Sequence, residues 1–164
     1  MKPIVLKRSE LVALHNEMSR YIKEAGKKAD KLAGKCDYIM TYEPNAKIIK
    51  DHIKKINVIE KELKRKIRNL SNNYAHVYDS GSKKGTFVLD EKGELIYTVE
   101  NQNKLNAEAD VLYDAQEDII LDIMDETVTY YIETISEIPE KLSIDFKNSL
   151  SLLIELLEKE TVVE

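Results

Sequence analysis

The chain has no tryptophan, a single cysteine and only eight glycines and prolines among its 164 residues. With Cys36 alone, no disulfide can close within the chain, and neither a thiolate metal cage nor a redox pair can be assembled from it. A buried or half-buried thiol on a helix is the expected role. Few turn formers and 7% aromatics argue against a turn-rich sandwich and against a low-complexity chain. No apolar run approaches the roughly 18 residues of a membrane span, and the short apolar run near the N-terminus is broken by charge before it could serve as a signal-peptide core. A cytoplasmic protein without membrane contact is expected, whether in its own cell, in a host cell or in a virion.

Catalytic signatures are also missing. His15, His52 and His76 lie on separate turns and show neither HxxxH nor HExxH spacing, so no two imidazoles are placed around one metal. Gly81-Ser-Lys-Lys-Gly85 has the wrong glycine spacing for a phosphate loop and sits before a strand-like run, where a phosphate loop would open a helix. Carboxylates crowd Glu117-Asp118, Asp122, Asp125-Glu126 and Glu133, but nothing in the sequence singles out a pair with the unequal pKa values of an acid and a base. No GxSxG element occurs. A protein without enzymatic activity, cofactor or metal is expected.

What is present is a charged, helix-forming sequence, 34% charged and 43% hydrophobic, long enough to bury one core. The fold class expected is mainly α (α+β), organised as one domain over residues 1–164. A long basic helical hairpin (9–78) comes first, then a β-hairpin (86–98), then an acidic, mostly helical region (99–164). Ser9 followed by Glu10 reads as a helix start. From there Leu11, Leu14, Met18, Tyr21, Ala25, Ala29, Leu32 and Cys36 recur every three or four residues as one stripe, weakened at Gly26 and Gly34. Glu43-Pro44-Asn45 breaks the helix, with Pro44 suited to the first turn of the next. Ile49, Ile53, Ile56, Leu63, Ile67, Leu70, Tyr74 and Val77 then follow a near-heptad seam that requires a partner helix. The first helix is the nearest candidate, and a second copy of the chain is the alternative.

Asp90-Glu-Lys-Gly93 between two β-prone runs predicts the hairpin, which needs a helix or a third strand to cover it. Either 118–124 or 127–132 could supply that strand. A helix is expected over about 99–116, and a last one after Pro139, capped by Ser143, with Phe146, Leu150, Leu153, Ile154 and Leu157 facing inward.

Charge is strongly segregated. Residues 1–85 hold 20 Lys and Arg against 10 Asp and Glu, whereas residues 86–164 hold 5 against 20. Either the two halves neutralise each other or each meets a different partner. The densest basic stretch gives the candidate interaction residues Lys54, Lys61, Lys64, Arg65 and Arg68. A basic helix can neutralise phosphates, but Glu60 and Glu62 interrupt this one and no aromatic residues are interleaved with it.

Three segments, Phe87-Val-Leu-Asp-Glu-Lys-Gly-Glu-Leu95, Glu100-Asn-Gln-Asn-Lys-Leu-Asn-Ala-Glu108 and Leu142-Ser-Ile-Asp-Phe-Lys-Asn-Ser-Leu-Ser-Leu-Leu-Ile154, resemble an uncharacterised family of short phage-encoded proteins. The resemblance implies viral origin. Together these features suggest a non-enzymatic protein that acts through contact with a viral or host protein or by self-association. It would be a virion or assembly component or an inhibitor of a host factor. A nucleic-acid-binding accessory role for the basic helix 45–78 is the alternative.

Overall fold

Residues 2–7, Lys-Pro-Ile-Val-Leu-Lys, bury every second side chain from Ile4, the period of a pleated strand. In the computed structural model of the chain, which describes residues 1–26, 31–133 and 148, they form strand β1 (Lys2–Lys7). Strand β2 (Thr127–Ile132) pairs with it antiparallel, Ile4 opposite Tyr130 and Leu6 opposite Val128. Between the two strands come helices α1 (Arg8–Ala25), α2 (Lys31–Thr41), α3 (Glu43–Tyr74) and α4 (Val99–Asp125). The chain is thus mainly α with a small sheet, the class its composition suggests.

Several elements differ in detail from their sequence signals. The first helix starts before Ser9: Lys7 takes the cap position, and its backbone N–H donates to the Glu10 carboxylate at 3.1 Å. The stripe from Leu11 to Cys36 is divided. α1 stops at Ala25, ahead of Gly26 with φ of 78°, and α2 packs back against α1. Pro44 sits in the first turn of α3 as expected. At 86–98 the hairpin shrinks to the bridge Leu89–Leu95 around an Asp90 turn, in which the Asp90 carboxylate accepts from the Lys92 and Glu94 N–H groups. Its third segment is neither 118–124 nor 127–132. Residues 76–78 fill that place, with Val77 bridging Phe87 and His76 N–H donating to Ile96 O at 2.7 Å. Residues 118–124 instead prolong α4, whose start is capped by the Thr98 hydroxyl accepting from Asn101 N–H. The helix expected after Pro139 lies outside the described residues.

Two compact units result, one drawn from the described residues up to Lys54 and from Asp122 onward, and the other comprising residues 55–121. In the first, Ile4 and Leu6 from β1 and Tyr130 and Ile132 from β2 meet Leu11, Leu14 and Met18 of α1 and Leu32, Cys36 and Ile39 of α2 in one buried cluster. Fully burying a side chain of this size contributes about 1.5–3 kcal/mol, so these residues account for the stability of the unit. Where β1 passes into α1, Arg8 continues the ladder through its N–H to Glu126 O at 2.9 Å. Its side chain also bonds the Glu126 carboxylate at 3.1 Å and His52 Nδ1 at 3.3 Å, so that ring nitrogen is the acceptor.

The far edge of β2 is closed by one side chain. Asn45, fully buried in the first turn of α3, donates through Nδ2 to Tyr131 O at 2.7 Å and to Ile39 O at 2.8 Å. Its Oδ1 accepts from Tyr131 N–H at 2.8 Å. Both amide protons are used, and the orientation of the amide is fixed by its partners. Because the Tyr131 peptide groups point away from β1, Pro3 opposite can lack an N–H without removing a ladder bond. Replacing Asn45 with Ala leaves one buried and two part-buried peptide groups without this partner. At about 1–3 kcal/mol for each such group, Asn45→Ala is expected to lower the unfolding free energy by about 3 kcal/mol or more in urea titration, and a loss below about 0.5 kcal/mol would contradict the role given to Asn45.

Candidate interaction groove

The second unit is built on two antiparallel helix segments, 55–74 of α3 and 99–121 of α4. Gln116 Nε2 reaches Ile59 O at 3.5 Å, and Asn101 Nδ2 donates to Tyr74 O at 3.3 Å. The step from Ile59 to Tyr74 equals the step from Gln116 back to Asn101, so one register holds along the pair. Tyr74 also donates its hydroxyl to Glu108 at 2.7 Å, and the adjacent carboxylate holds the phenol pKa above its ordinary value. Over this stretch the α3 seam meets α4, which supplies the partner helix the heptad pattern requires.

The two helices leave an open groove of about 620 Å³ between them. Leu63 and Ile67 line it together with Glu60, Lys64 and Arg68 of α3 and Tyr113 and Gln116 of α4. Glu60, Lys64 and Arg68 are four residues apart and form one ridge of α3. Lys64 and Arg68 therefore rise beside an apolar floor, with an aromatic ring that is 52% exposed on α4. Such a groove can hold a ligand that presents both apolar surface and negative charge.

The five candidate residues from the sequence separate. Lys64 and Arg68 line this groove, whereas Lys61 and Arg65 are exposed on α3 without lining it. Lys54 belongs to the first unit. Among the described residues none of the five forms an ion pair or hydrogen bond. The charge pairing nearby is internal to single helices, Lys66 with Glu62 at 3.6 Å on α3 and Lys104 with Glu100 at 3.3 Å on α4. Tyr113 and Gln116 were not legible as site residues, because only the register of α4 against α3 brings them to the basic ridge. The spacing Asp110, Tyr113, Glu117 was a usable signal, since it marks one face of a helix.

A second groove, of about 310 Å³, lies in the first unit. It is lined by His15, Ile49, Lys50, Ile53 and Lys54 among others. His15 Nδ1 is buried there without a hydrogen-bond partner, and burial lowers the imidazole pKa below its ordinary 6.5. Tyr130 has a similarly unpartnered hydroxyl, and burial pushes its pKa far up, with Cys36 beside it adding to the shift.

Comparison with protein-family models, with curated proteins and with solved structures returns no match. Among the described residues no three His, Cys, Asp or Glu side chains gather in a metal-binding arrangement, and no helix is long and apolar enough to cross a membrane.

The His15 shift has a definite sign. Above pH 6.5 the imidazole is neutral in both the folded and the unfolded chain; below it the unfolded chain takes up a proton that the folded chain resists, so stability falls as pH drops. Between about pH 7 and about pH 5.5 the unfolding midpoint of the natural chain is expected to decline more steeply than that of His15→Leu. Parallel declines would contradict the assignment.

Proposed function

We propose that the protein is a non-enzymatic interaction module that docks a protein partner on the second unit. Its setting is phage biology, either as a virion or assembly component or as an inhibitor of a host factor, in the cytoplasm of the infected cell or in the particle. The observation that carries the docking reading is the groove. Lys64 and Arg68 stand beside an apolar floor and Tyr113, and neither is ion-paired among the described residues, so with Glu60 one turn before Lys64 the ridge keeps a net positive charge. Arginine and tyrosine supply much of the binding energy at protein interfaces when a partner desolvates them. Elsewhere on the same unit Val58, Val111 and Leu121 are each 60–68% exposed. The viral setting rests on the resemblance of residues 87–95, 100–108 and 142–154 to short phage proteins.

Affinity capture from infected or native cells, comparing the natural chain with Lys64→Glu/Arg68→Glu, tests this reading. Specific polypeptides are expected with the natural chain and should be depleted at least tenfold with the variant. An identical set with both would count against the groove.

A second reading is favoured by Tyr113. The basic helix has no aromatic of its own in this stretch, and α4 places one beside Lys64 and Arg68, so the groove joins a stacking platform to phosphate-binding charge. A single-stranded oligonucleotide shifted at low salt supports this reading if Tyr113→Ala weakens binding about tenfold, in line with about 1–3 kcal/mol per stacked base. No shift at low salt rejects it.

A further inference from the structure

The second unit is incompletely covered. Of all its residues only Ala75 and Leu105 are buried hydrophobics, while the seam side chains Ile56, Ile59, Leu63, Ile67 and Leu70 remain half-buried. Two helices cover only one side of each other, and the usual solution is a bundle of four.

The charges of the two segments say which helices would complete such a bundle. From residue 55 to 74, α3 carries six Lys and Arg against two acids; from residue 99 to 121, α4 carries six acids against one Lys. No ion pair among the described residues links these two segments, so the opposite charges do not cancel within the hairpin. On the α3 side of the groove stand Lys64 and Arg68, with Glu60 one turn before them, a rim of net positive charge. On the α4 side, Asp110 and Glu117 lie three residues before and four after Tyr113, hence on its face, and both are exposed. The rims of the groove are therefore oppositely charged and run antiparallel. A surface of that kind is complementary to itself about a two-fold axis, which lays the basic rim of one molecule on the acidic rim of the other.

We infer that the partner seated in this groove is a second copy of the chain, giving an isologous dimer. In that dimer the 55–74 and 99–121 segments of two molecules form a four-helix bundle in which the shared register brings Asp110 of each to the level of Lys64 and Arg68 of the other. The inference rests on the reading of the second unit as an interaction surface and names its occupant. Leu63, Ile67 and Tyr113 form the desolvated centre, and the charged rims exclude the other two-fold arrangement, which would lay basic rim on basic rim.

Sedimentation of the full chain over a thousandfold concentration range tests the inference with two charge reversals, Lys64→Glu/Arg68→Glu and Asp110→Lys/Glu117→Lys. The natural chain is expected to dimerise, and each reversal alone to weaken association at least tenfold. An equal mixture of the two reversals should dimerise again, because each basic rim then meets an acidic one across the axis. Circular dichroism verifies that both variants fold. As a second measurement independent of the variants, carbodiimide treatment of mixed isotope-labelled and unlabelled natural chain should join Lys64 of one molecule to Asp110 of the other. A natural chain monomeric at every concentration overturns the inference, as do reversals that dimerise unchanged, a mixture that stays monomeric, and crosslinks confined to single molecules. If the chain is monomeric yet Lys64→Glu/Arg68→Glu loses its captured partners, the dimer fails and the docking surface stands. If the chain dimerises but capture is unaffected, the reverse holds.

Discussion

The hydrogen bonds that Asn45 makes to the Tyr131 peptide groups and to Ile39 O fix how the first unit closes. A two-stranded sheet is marginal in water and leaves an edge of unpaired peptide groups. Here β1 satisfies one edge of β2, and at Tyr131 a single amide from the first turn of α3 satisfies the other. The same amide takes up the Ile39 carbonyl near the end of α2, so one side chain ties together the α2–α3 junction and the sheet. Tyr42, which lies in that junction, packs its ring edge-on against Tyr131 with centroids 5.7 Å apart. With the strands held in place, Ile4, Leu6, Tyr130 and Ile132 present one apolar face to α1 and α2, and the core follows from that placement. An apolar residue at position 45 would fill the space but leave the strand edge without partners.

The second unit follows a different logic. Its seam residues are held by an antiparallel helix partner but not enclosed, and its charges are sorted by helix without being paired across the interface. In the first unit the exposed charges at the strand–helix joint are matched locally, Lys7 with Asp125 at 3.2 Å and Arg8 with Glu126 at 3.1 Å. An exposed pair such as Lys7–Asp125 adds about 0–1 kcal/mol, so the matching serves geometry more than stability. Where charges are left unmatched, beside an apolar groove with an exposed tyrosine, they remain accessible, and this contrast supports the proposed interaction surface.

The sequence carried the helices well, because apolar spacing of three and four residues reports burial directly. Leu11, Leu14, Met18 and Cys36 all lie in the core as their stripe implies, and the Pro44 boundary sits where a ring without an N–H suits a first helical turn. Partner choice was less legible. The seam of α3 specifies that a helix must lie against it, not which helix, and residues 55–74 meet α4 through contacts such as Gln116 to Ile59 that no local pattern announces. The strand at residues 2–7 has little signal of its own, because only three apolar side chains follow one another there, too few to separate a strand from a tail without its partner at 127–132. Residues 118–124 show the converse. Their β-prone Ile and Leu run stays helical as the continuation of a well-capped helix, where tertiary context outweighs propensity. Lys64 and Arg68 could be picked out by charge alone, whereas Tyr113 could be picked out only by its placement on α4.

Native-state hydrogen exchange measured at several protein concentrations tests the contrast between a closed first unit and an open second one most directly. The account predicts that the Tyr131 amide, buried against Asn45, exchanges at the slow rate of global unfolding at every concentration. Amides in 55–74 and 99–121 should exchange faster at low concentration and become protected as concentration rises. Rapid exchange at Tyr131, or protection of 55–74 and 99–121 that is already complete and unchanging at the lowest concentration, would contradict it.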